Sequence, residues 1–171
     1  MARIVVLGAG VSGHTAALHL RRKLGKSHEV IVVSPNSQWN WIPSNIWVGV
    51  GRMGADKVVF PLAPIYKRKG ITYHQAKAVA VRPEGDAADP TGAVDIVYTS
   101  PEKAGQEAQL RYDYLVNATG PRLNFAATPG LGPDGNSWSV CTAGHAVEAA
   151  KALAETIERA RQGTRQTLVV G

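Results

Sequence analysis

Apolar positions along this chain form short runs of β-branched residues that alternate with helical repeats. Residues 4–8 and 29–33 are mostly β-branched and apolar, with Glu29 at the start of the second run, and residues 15–24 between them repeat apolar positions at helical spacing. A short apolar run bounded by turn residues predicts a buried strand, while a period of 3.6 residues predicts a helix. The start of the chain therefore predicts a βαβ unit, which is the building block of a parallel sheet.

Downstream, glycine and proline separate further strands from two more helices. The predicted elements are helix 62–69, strand 71–81, strand 93–99, strand 110–116 and helix 144–161. A Pro/Gly/Asp-rich turn and a polar connector divide the later strands, which predicts a small antiparallel sheet. The aromatic, Pro- and Gly-rich segment 39–54 has no clear period and predicts an ordered loop. Together these elements predict an α/β fold with a parallel sheet and a small antiparallel sheet.

The first strand runs into a glycine-rich turn, RIVVLGAGVSG, with the spacing Gly8-x-Gly10-x-x-Gly13 and Ala9 inside it. In this motif the first glycine allows a tight turn, the second lets the backbone approach a pyrophosphate, and the third lets the helix pack against the strand. The motif stands between a predicted strand and a predicted helix, which is the context it requires. The sequence therefore predicts a Rossmann-like dinucleotide-binding domain.

The end of the second strand distinguishes between dinucleotides. An Asp or Glu about 20 residues after the glycines usually holds a ribose hydroxyl, but this strand ends in Ser34-Pro35. A neutral hydroxyl is a weaker hydrogen-bonding anchor than a carboxylate. Tight NAD binding is therefore disfavoured, and Ser34 and Pro35 remain the candidate ribose contacts.

A second small-residue turn follows the apolar strand at residues 112–117. This turn, Ala118-Thr119-Gly120, resembles the ATG motif of flavoproteins that contain two dinucleotide-binding domains. The resemblance implies that the turn passes close to FAD and that its small side chains leave room for the cofactor. An ordinary strand that ends in a Gly-Pro turn is the alternative interpretation.

The last residues, TLVVG at 167–171, repeat the pattern of the opening strand. We expect residues 1–166 to be the N-terminal part of an FAD-binding domain that is incomplete at its C-terminus. Residues 167–171 would then be the first strand of a second dinucleotide-binding-like domain. The alternative is a last sheet strand in a complete small domain.

Composition and charge argue against a nucleic-acid partner and against a membrane-spanning segment. The formal charge is +6, with 19 Lys and Arg against 13 Asp and Glu, but these charges are too dispersed to predict nucleic-acid binding. No segment approaches the roughly 20 apolar residues of a membrane span, and residues 1–3 lead directly into the first strand without a signal peptide. The chain as given is predicted to be soluble, and no metal-ligand grouping is predicted.

Two longer segments are characteristic of one family. Residues 38–51, QWNWIPSNIWVGVG, and residues 139–146, SVCTAGHA, resemble segments of bacterial sulfide:quinone oxidoreductases. The two glycine-containing turns and these two segments occur in the family's order. The resemblance implies a flavoprotein of the pyridine nucleotide-disulfide oxidoreductase superfamily that oxidises sulfide to sulfane sulfur or polysulfide. It passes the electrons through FAD to a membrane quinone.

The resemblance also implies where such an enzyme is located. The expected location is the bacterial inner membrane, as a peripheral protein that is held at the membrane surface by a C-terminal region outside this sequence. Sulfide and a membrane quinone are the expected partners, nucleic acid is not expected, and a homo-oligomer is compatible with the resemblance. The fragment alone is expected to be inactive.

Cys141, the sole cysteine, is the candidate catalytic residue. A thiolate is the effective nucleophile in sulfur chemistry, and Cys141 stands just before a predicted helix N-terminus, which favours an anion. His145 is the second candidate, because a protonated ring one helical turn away would favour the thiolate, although packing or capping is an alternative role. An inert buried cysteine is the alternative for Cys141.

Further positions are assigned by resemblance alone. The family's disulfide mechanism needs a second cysteine, which must lie outside this sequence. Some members have another cysteine after the ATG turn, where this chain has Phe125, so the three-cysteine mechanism is in doubt and the two-cysteine mechanism remains. Pro43, Asn45 and Gly49 are expected to position the flavin, and Ala78 is expected to contact adenine through its main chain.

Other functions remain open on the sequence. Related flavoproteins include NADH dehydrogenases and the flavin subunits of cytochrome-linked sulfide dehydrogenases. A non-catalytic dinucleotide-binding module is an alternative of a different class.

Overall fold

The computed structural model describes residues 1–169, and the chain divides into two compact units. The first unit contains Met1–Trp39 and Pro61–Pro121. The second unit contains Asn40–Phe60 and the described residues from Arg122 onward.

Helices separate the strands in the first part of the chain, and the later strands follow one another directly. In order, they are β1 (Arg3–Leu7), α1 (Val11–Leu24), β2 (Glu29–Ser34), β3 (Gln38–Asn40), α2 (Asn45–Gly49), β4 (Val59–Pro61), α3 (Leu62–Lys69), β5 (Thr72–Arg82), β6 (Ala93–Tyr98), β7 (Glu107–Arg111), β8 (Tyr114–Asn117) and α4 (Ala143–Arg161). Short 3₁₀ turns occur at Ile42–Ser44, Ala55–Lys57 and Phe125–Ala127. Within residues 1–169, no helix combines the length and apolarity needed to cross a membrane.

The main sheet has the strand order β7-β6-β5-β2-β1-β8. Strands β5, β2, β1 and β8 are parallel, whereas β6 and β7 continue the sheet antiparallel from β5. A separate two-stranded ladder pairs β3 with β4. The predicted α/β class is confirmed, with β5 shared between the predicted parallel and antiparallel sheets.

Both faces of the parallel sheet are buried in the first unit. Val6 on β1 packs into a cluster with α1 and α3, while its neighbours Val5 and Leu7 pack into a second cluster with β5 and β6. Successive side chains of a strand point to opposite faces, so a strand that is covered on both sides reads as a continuous apolar run. This arrangement explains the unbroken IVVL and VIVV runs of β1 and β2.

One predicted strand is in fact two. The segment predicted as strand 110–116 contains the end of β7 and most of β8, which pair with different neighbours. At the break, the Asp113 amide donates to the Arg3 carbonyl oxygen, and the Arg3 amide donates to the Asp113 carboxylate over 2.6 Å. These bonds hold the start of β8 beside β1, so the chain leaves the antiparallel ladder at Tyr112.

The segment predicted as a loop, 39–54, contains helix α2. This helix has five residues, too few to show a period, and several of its side chains are exposed and apolar. At the other end of the chain, Thr167–Val169 carries no strand assignment, and residues 170–171 of the predicted strand 167–171 lie outside the described residues. The predicted boundary between residues 166 and 167 stays a prediction.

A buried hydrogen bond joins α1 to α3. His14 is 8% exposed, and its Nδ1 lies 2.9 Å from the Tyr66 hydroxyl, which is fully buried. Burial lowers the pKa of His14 and raises that of Tyr66, so the pair is neutral in the folded protein. Folding therefore favours the neutral form of the His14 ring.

We expect the free energy of unfolding to fall as the pH is lowered from 7 to 5. In the unfolded chain His14 takes up a proton near its ordinary pKa of 6.5, whereas in the folded chain it stays neutral to lower pH. His74 contributes in the same direction, because burial and the Lys103 charge lower its pKa. Urea unfolding of the wild type and His14→Gln at both pH values measures the effect. An equal pH dependence in the two proteins would contradict this assignment.

Candidate functional site

The glycine turn of the first unit is built on close backbone contacts. The Gly8 amide donates to the Val33 carbonyl oxygen over 2.8 Å, and Gly8 has a φ of +91°. A Cβ atom on Gly8 would lie 2.3 Å from the Ala118 carbonyl oxygen. Only glycine avoids both the steric contact and the unfavourable φ at this position.

Gly13 faces the same junction from the first turn of α1. A Cβ atom here would lie 2.0 Å from the Gly8 carbonyl oxygen and 3.2 Å from the Ala118 Cβ atom. By contrast, apart from its chain neighbours, no heavy atom of residues 1–169 lies within 4 Å of a Cβ atom built on Gly10. Gly8 and Gly13 are therefore required by packing inside the unit, whereas Gly10 leaves open space next to the turn.

The N-terminus of α1 is suited to an anion. Gly10 caps the helix without a side-chain hydrogen bond, and the first turn contains no acidic residue. The first amides of a helix have no partner inside it, and the helix dipole is positive at this end. The open space at Gly10 and these amides together fit a pyrophosphate group.

The turn also lies at a topological switch point of the sheet. Strand β1 pairs with β2 on one side and with β8 on the other, and the carboxyl ends of all three strands align. Ligands of open α/β sheets bind in the crevice at such a point. The structure thus brings several predicted residues together at this edge, namely Gly8, Ala9, Gly10, Gly13, Ser34, Pro35, Ala118, Thr119 and Gly120.

Two polar side chains near this edge take part in hydrogen bonds within the chain. The Thr119 amide and hydroxyl both donate to Asn117 Oδ1, at 3.3 and 2.9 Å. Ser34 is 2% exposed, and its Oγ atom accepts a long bond from the Asn36 amide. Ala78 lies on β5 opposite Ile96, just before an irregularity in the β5–β6 register. The predicted contact of Ser34 with a ribose and the predicted contact of Ala78 with adenine stay predictions.

Cys141 lies in the second unit, immediately before the cap of α4. Cys141 is exposed, and its amide donates to Ser139 Oγ over 3.1 Å. Thr142 is the N-cap of α4, and its hydroxyl oxygen accepts from the His145 amide over 3.1 Å. The predicted position of Cys141 before a helix N-terminus is confirmed, and Thr142 is a cap that the sequence analysis did not identify.

His145 has one backbone role and one free ring nitrogen. Its amide completes the Thr142 cap, and its ring lies 6.4 Å from the ring of Phe125, measured between centroids. No partner among residues 1–169 lies within hydrogen-bond distance of the buried Nδ1 atom of His145. Phe125 thus lies beside the first turn of α4.

Asn45 is fully buried, and its amide group is engaged inside the second unit. Its Nδ2 atom donates to Asn40 Oδ1 and to the Val140 carbonyl oxygen, each over 3.0 Å. Pro43 is exposed in the 3₁₀ turn before α2. The predicted flavin contacts of Pro43 and Asn45 stay predictions, and both amide hydrogens of Asn45 are already donated within the protein.

Among the residues that the structure describes, no group of three or more His, Cys, Asp or Glu side chains is arranged to hold a metal ion.

Comparison with known proteins places this site in context. Residues 2–171 match the family model described as pyridine nucleotide-disulphide oxidoreductase. A sulfide-quinone reductase of Aquifex aeolicus (strain VF5) is 32% identical over 152 residues, which are 89% of this chain and 31% of that protein. An external alternative NAD(P)H-ubiquinone oxidoreductase B4, mitochondrial, of Arabidopsis thaliana is 30% identical over 129 residues, which are 75% of this chain and 21% of that protein.

The fold agrees with a solved structure as well. The X-ray structure of the sulfide:quinone oxidoreductase from Aquifex aeolicus superimposes with a TM-score of 0.75 and 28% identity, over 92% of this chain and 33% of that one. The predicted resemblance to sulfide:quinone oxidoreductases is therefore confirmed. The chain spans 31% or less of the length of these two curated relatives.

Two of the three glycines of the turn, Gly10 and Gly13, differ in the space around them, and a matched pair of variants tests this difference. We expect Gly13→Ala to lower the free energy of unfolding by about 2 kcal/mol or more, because its Cβ atom would overlap the Gly8 carbonyl oxygen. Gly10→Ala meets open space, and we expect a change of less than about 0.5 kcal/mol. Urea unfolding measures both variants, and equal losses would contradict the packing role of Gly13.

Proposed function

The chain belongs to the pyridine nucleotide-disulphide oxidoreductase family, and on this basis we propose that the protein containing it is a flavin-dependent oxidoreductase that oxidises sulfide. The electrons taken from sulfide pass to a membrane quinone. The observation that carries the proposal is the position of Cys141, which is exposed and stands directly before the N-cap of α4. Similarity to a sulfide-quinone reductase over most of the chain supports the same substrate.

FAD is the proposed cofactor. Gly8, Gly10 and Gly13 would hold its pyrophosphate at the start of α1, and Ser34 with Pro35 would contact a ribose. Further proposed contacts are Ala9, Pro43, Asn45, Ala78, Ala118, Thr119 and Gly120. When bound, FAD supplies a two-electron acceptor. The open space at Gly10 supports this assignment, since a phosphate needs close approach to the backbone there.

Cys141 would be one half of a redox-active disulfide and, once released as a thiolate, would give up the electrons that FAD accepts. In the oxidised enzyme it forms a disulfide with a cysteine outside this sequence. Hydrosulfide attacks one sulfur of that disulfide, the S–S bond breaks, one cysteine becomes a persulfide, and the other leaves as a thiolate. The start of α4 favours this chemistry, because amides and the helix dipole at an N-terminus stabilise a nearby anion.

His145 is proposed to assist Cys141. A protonated ring in the first turn of α4 would stabilise a thiolate beside it. Its buried Nδ1 supports a role beyond the cap, because buried polar atoms nearly always have a hydrogen-bond partner, and one that has none within residues 1–169 is typical of a functional site. Packing against Phe125 is the competing role, and it leaves the chemistry to Cys141 alone.

Access to a quinone implies a membrane. We propose that the enzyme is peripheral at the bacterial inner membrane and is held there by residues outside this sequence.

A second candidate is oxidation of NADH with quinone as the acceptor. The similarity to an NAD(P)H-ubiquinone oxidoreductase at 30% identity over 75% of this chain favours it. This function would not need Cys141, because a hydride passes directly between nicotinamide and flavin.

Anaerobic visible spectra of the longest available product of the gene distinguish sulfide oxidation from NADH oxidation. We expect sulfide to bleach the flavin band of the wild type, and Cys141→Ser to lose this response by about two orders of magnitude in rate, because the disulfide that hydrosulfide attacks can no longer form. The control is equal flavin content in both proteins, and NADH should have little effect.

The other outcomes each reject a part of the proposal. Bleaching by NADH alone would establish the second candidate and reject sulfide as the substrate. A protein without flavin would reject both and leave a nucleotide-binding module.

A further inference from the structure

A reciprocal pair of asparagine amides lies in the second unit, close to Cys141 in the fold. Asn40 Nδ2 donates to Asn45 Oδ1 over 2.9 Å, and Asn45 Nδ2 donates back to Asn40 Oδ1 over 3.0 Å. Asn45 is fully buried. We refer to Asn40 and Asn45 together as the asparagine brace.

Each member of the brace makes a further bond to the segment that carries the thiol. Asn45 Nδ2 donates to the Val140 carbonyl oxygen over 3.0 Å, and Asn40 Oδ1 accepts from the Ala143 amide over 3.1 Å. Val140 is the residue before Cys141, and Ala143 is the first residue of α4. The two bonds therefore fix the main chain on both sides of Cys141 and its cap.

A third bond anchors the brace to the neighbouring chain. Asn40 Nδ2 donates to the Val58 carbonyl oxygen over 3.1 Å, and the Val58 side chain packs with Val48 of α2 and Ala146 of α4 in one buried cluster. With this bond, all four amide hydrogens of the pair are donated within the unit. A fully satisfied polar network of this kind specifies one arrangement of the chain.

Helix α2 supports the same segment by close packing. A Cβ atom on Gly49 would lie 2.7 Å from Val140 Cγ1, so the absence of a side chain lets the helix approach the residue before the thiol. The brace and this contact both act on Val140. Apolar residues at positions 40 and 45 would fill similar space, but they would not fix the direction of the Val140 carbonyl group or hold the Ala143 amide.

We propose that Asn40 and Asn45 are positioning residues for Cys141. They set the place of the thiol at the start of α4 by holding Val140 and Ala143, and they act through the main chain without touching the reacting sulfur. The inference rests on the proposed function, in which Cys141 carries the sulfur chemistry.

The test compares two substitutions of Asn40 in the longest available product of the gene. Asn40→Leu removes every hydrogen bond of the Asn40 side chain, whereas Asn40→Asp keeps the acceptor for the Ala143 amide and loses only the two donations of Nδ2, to Asn45 and Val58. We expect Asn40→Leu to lower the limiting rate of flavin reduction by sulfide about tenfold or more, since small misplacements of reacting groups cost that much. Flavin content and half-saturating sulfide should stay within about twofold, and Asn40→Asp should lose less of the rate than Asn40→Leu, because the Ala143 amide keeps its acceptor.

Val48→Ala is the control for lost stability alone. It opens space in the same buried cluster and leaves the bonds of the brace in place. Thermal unfolding of each variant shows whether the stability losses match. An equal loss of rate in Val48→Ala and Asn40→Leu, or an equal loss in Asn40→Asp and Asn40→Leu, would overturn the proposal. If Asn40→Leu does not fold, Asn45→Asp replaces it, because this isosteric change removes the donations of Asn45 to Val140 and to Asn40. Its readout is the alkylation rate of Cys141, since Asn45 is also a proposed flavin contact.

A second readout separates the brace from the proposed reaction. Cys141 is the sole cysteine of these 171 residues. After reduction of the longest available product of the gene, mass spectrometry of the peptide that contains Cys141 reports the alkylation of this thiol by iodoacetamide. We expect Asn40→Leu to change the alkylation rate by about threefold or more and Val48→Ala to leave it within about 1.5-fold. A wild type that fails to react with sulfide but shows this difference would reject the proposed function and retain the brace. Unchanged alkylation in Asn40→Leu would reject the brace.

Discussion

The first unit depends on the close approach of three main-chain segments where β1, α1 and β8 meet. Gly8, Gly13 and the Ala118 carbonyl oxygen fill this junction so tightly that two of the residues have no room for a Cβ atom. The contact fixes where α1 begins relative to the carboxyl end of β1. Because β2 and β8 pair with β1 in register, the same junction also sets where their ends lie. The shape of this edge of the sheet is thus a consequence of backbone packing alone.

The second unit is organised by a different kind of interaction. Its apolar cluster is small, with Val48, Val58 and Ala146 as the buried members. Side-chain amides supply part of the order that a larger core would otherwise provide. The two family-like segments 38–51 and 139–146 were independent in the sequence, and the structure shows that they are parts of one arrangement, since Asn40 and Asn45 in the first bond to Val140 and Ala143 in the second.

Much of this could be predicted from local sequence signals. The glycine turn, the strands of the parallel sheet and helix Leu62–Lys69 each have a period, a cap or a turn residue that acts within a few positions. The break at Tyr112 could not be predicted, because it depends on the bond between Asp113 and Arg3, which are 110 residues apart. Asn40 was missed for the same reason: its bond to the Ala143 amide spans 103 residues, and no local pattern distinguishes it from a loop asparagine.

The chemical nature of the brace has a consequence for experiments on the thiol. Carboxamides neither gain nor lose protons across the range in which proteins stay folded, so the hydrogen bonds to Val140 and Ala143 persist unchanged from mildly acidic to alkaline solution. A support built from carboxylates or imidazoles would loosen as it titrated. A pH profile of Cys141 chemistry therefore measures the thiol and its reaction partners, and not a change in the scaffold beneath them.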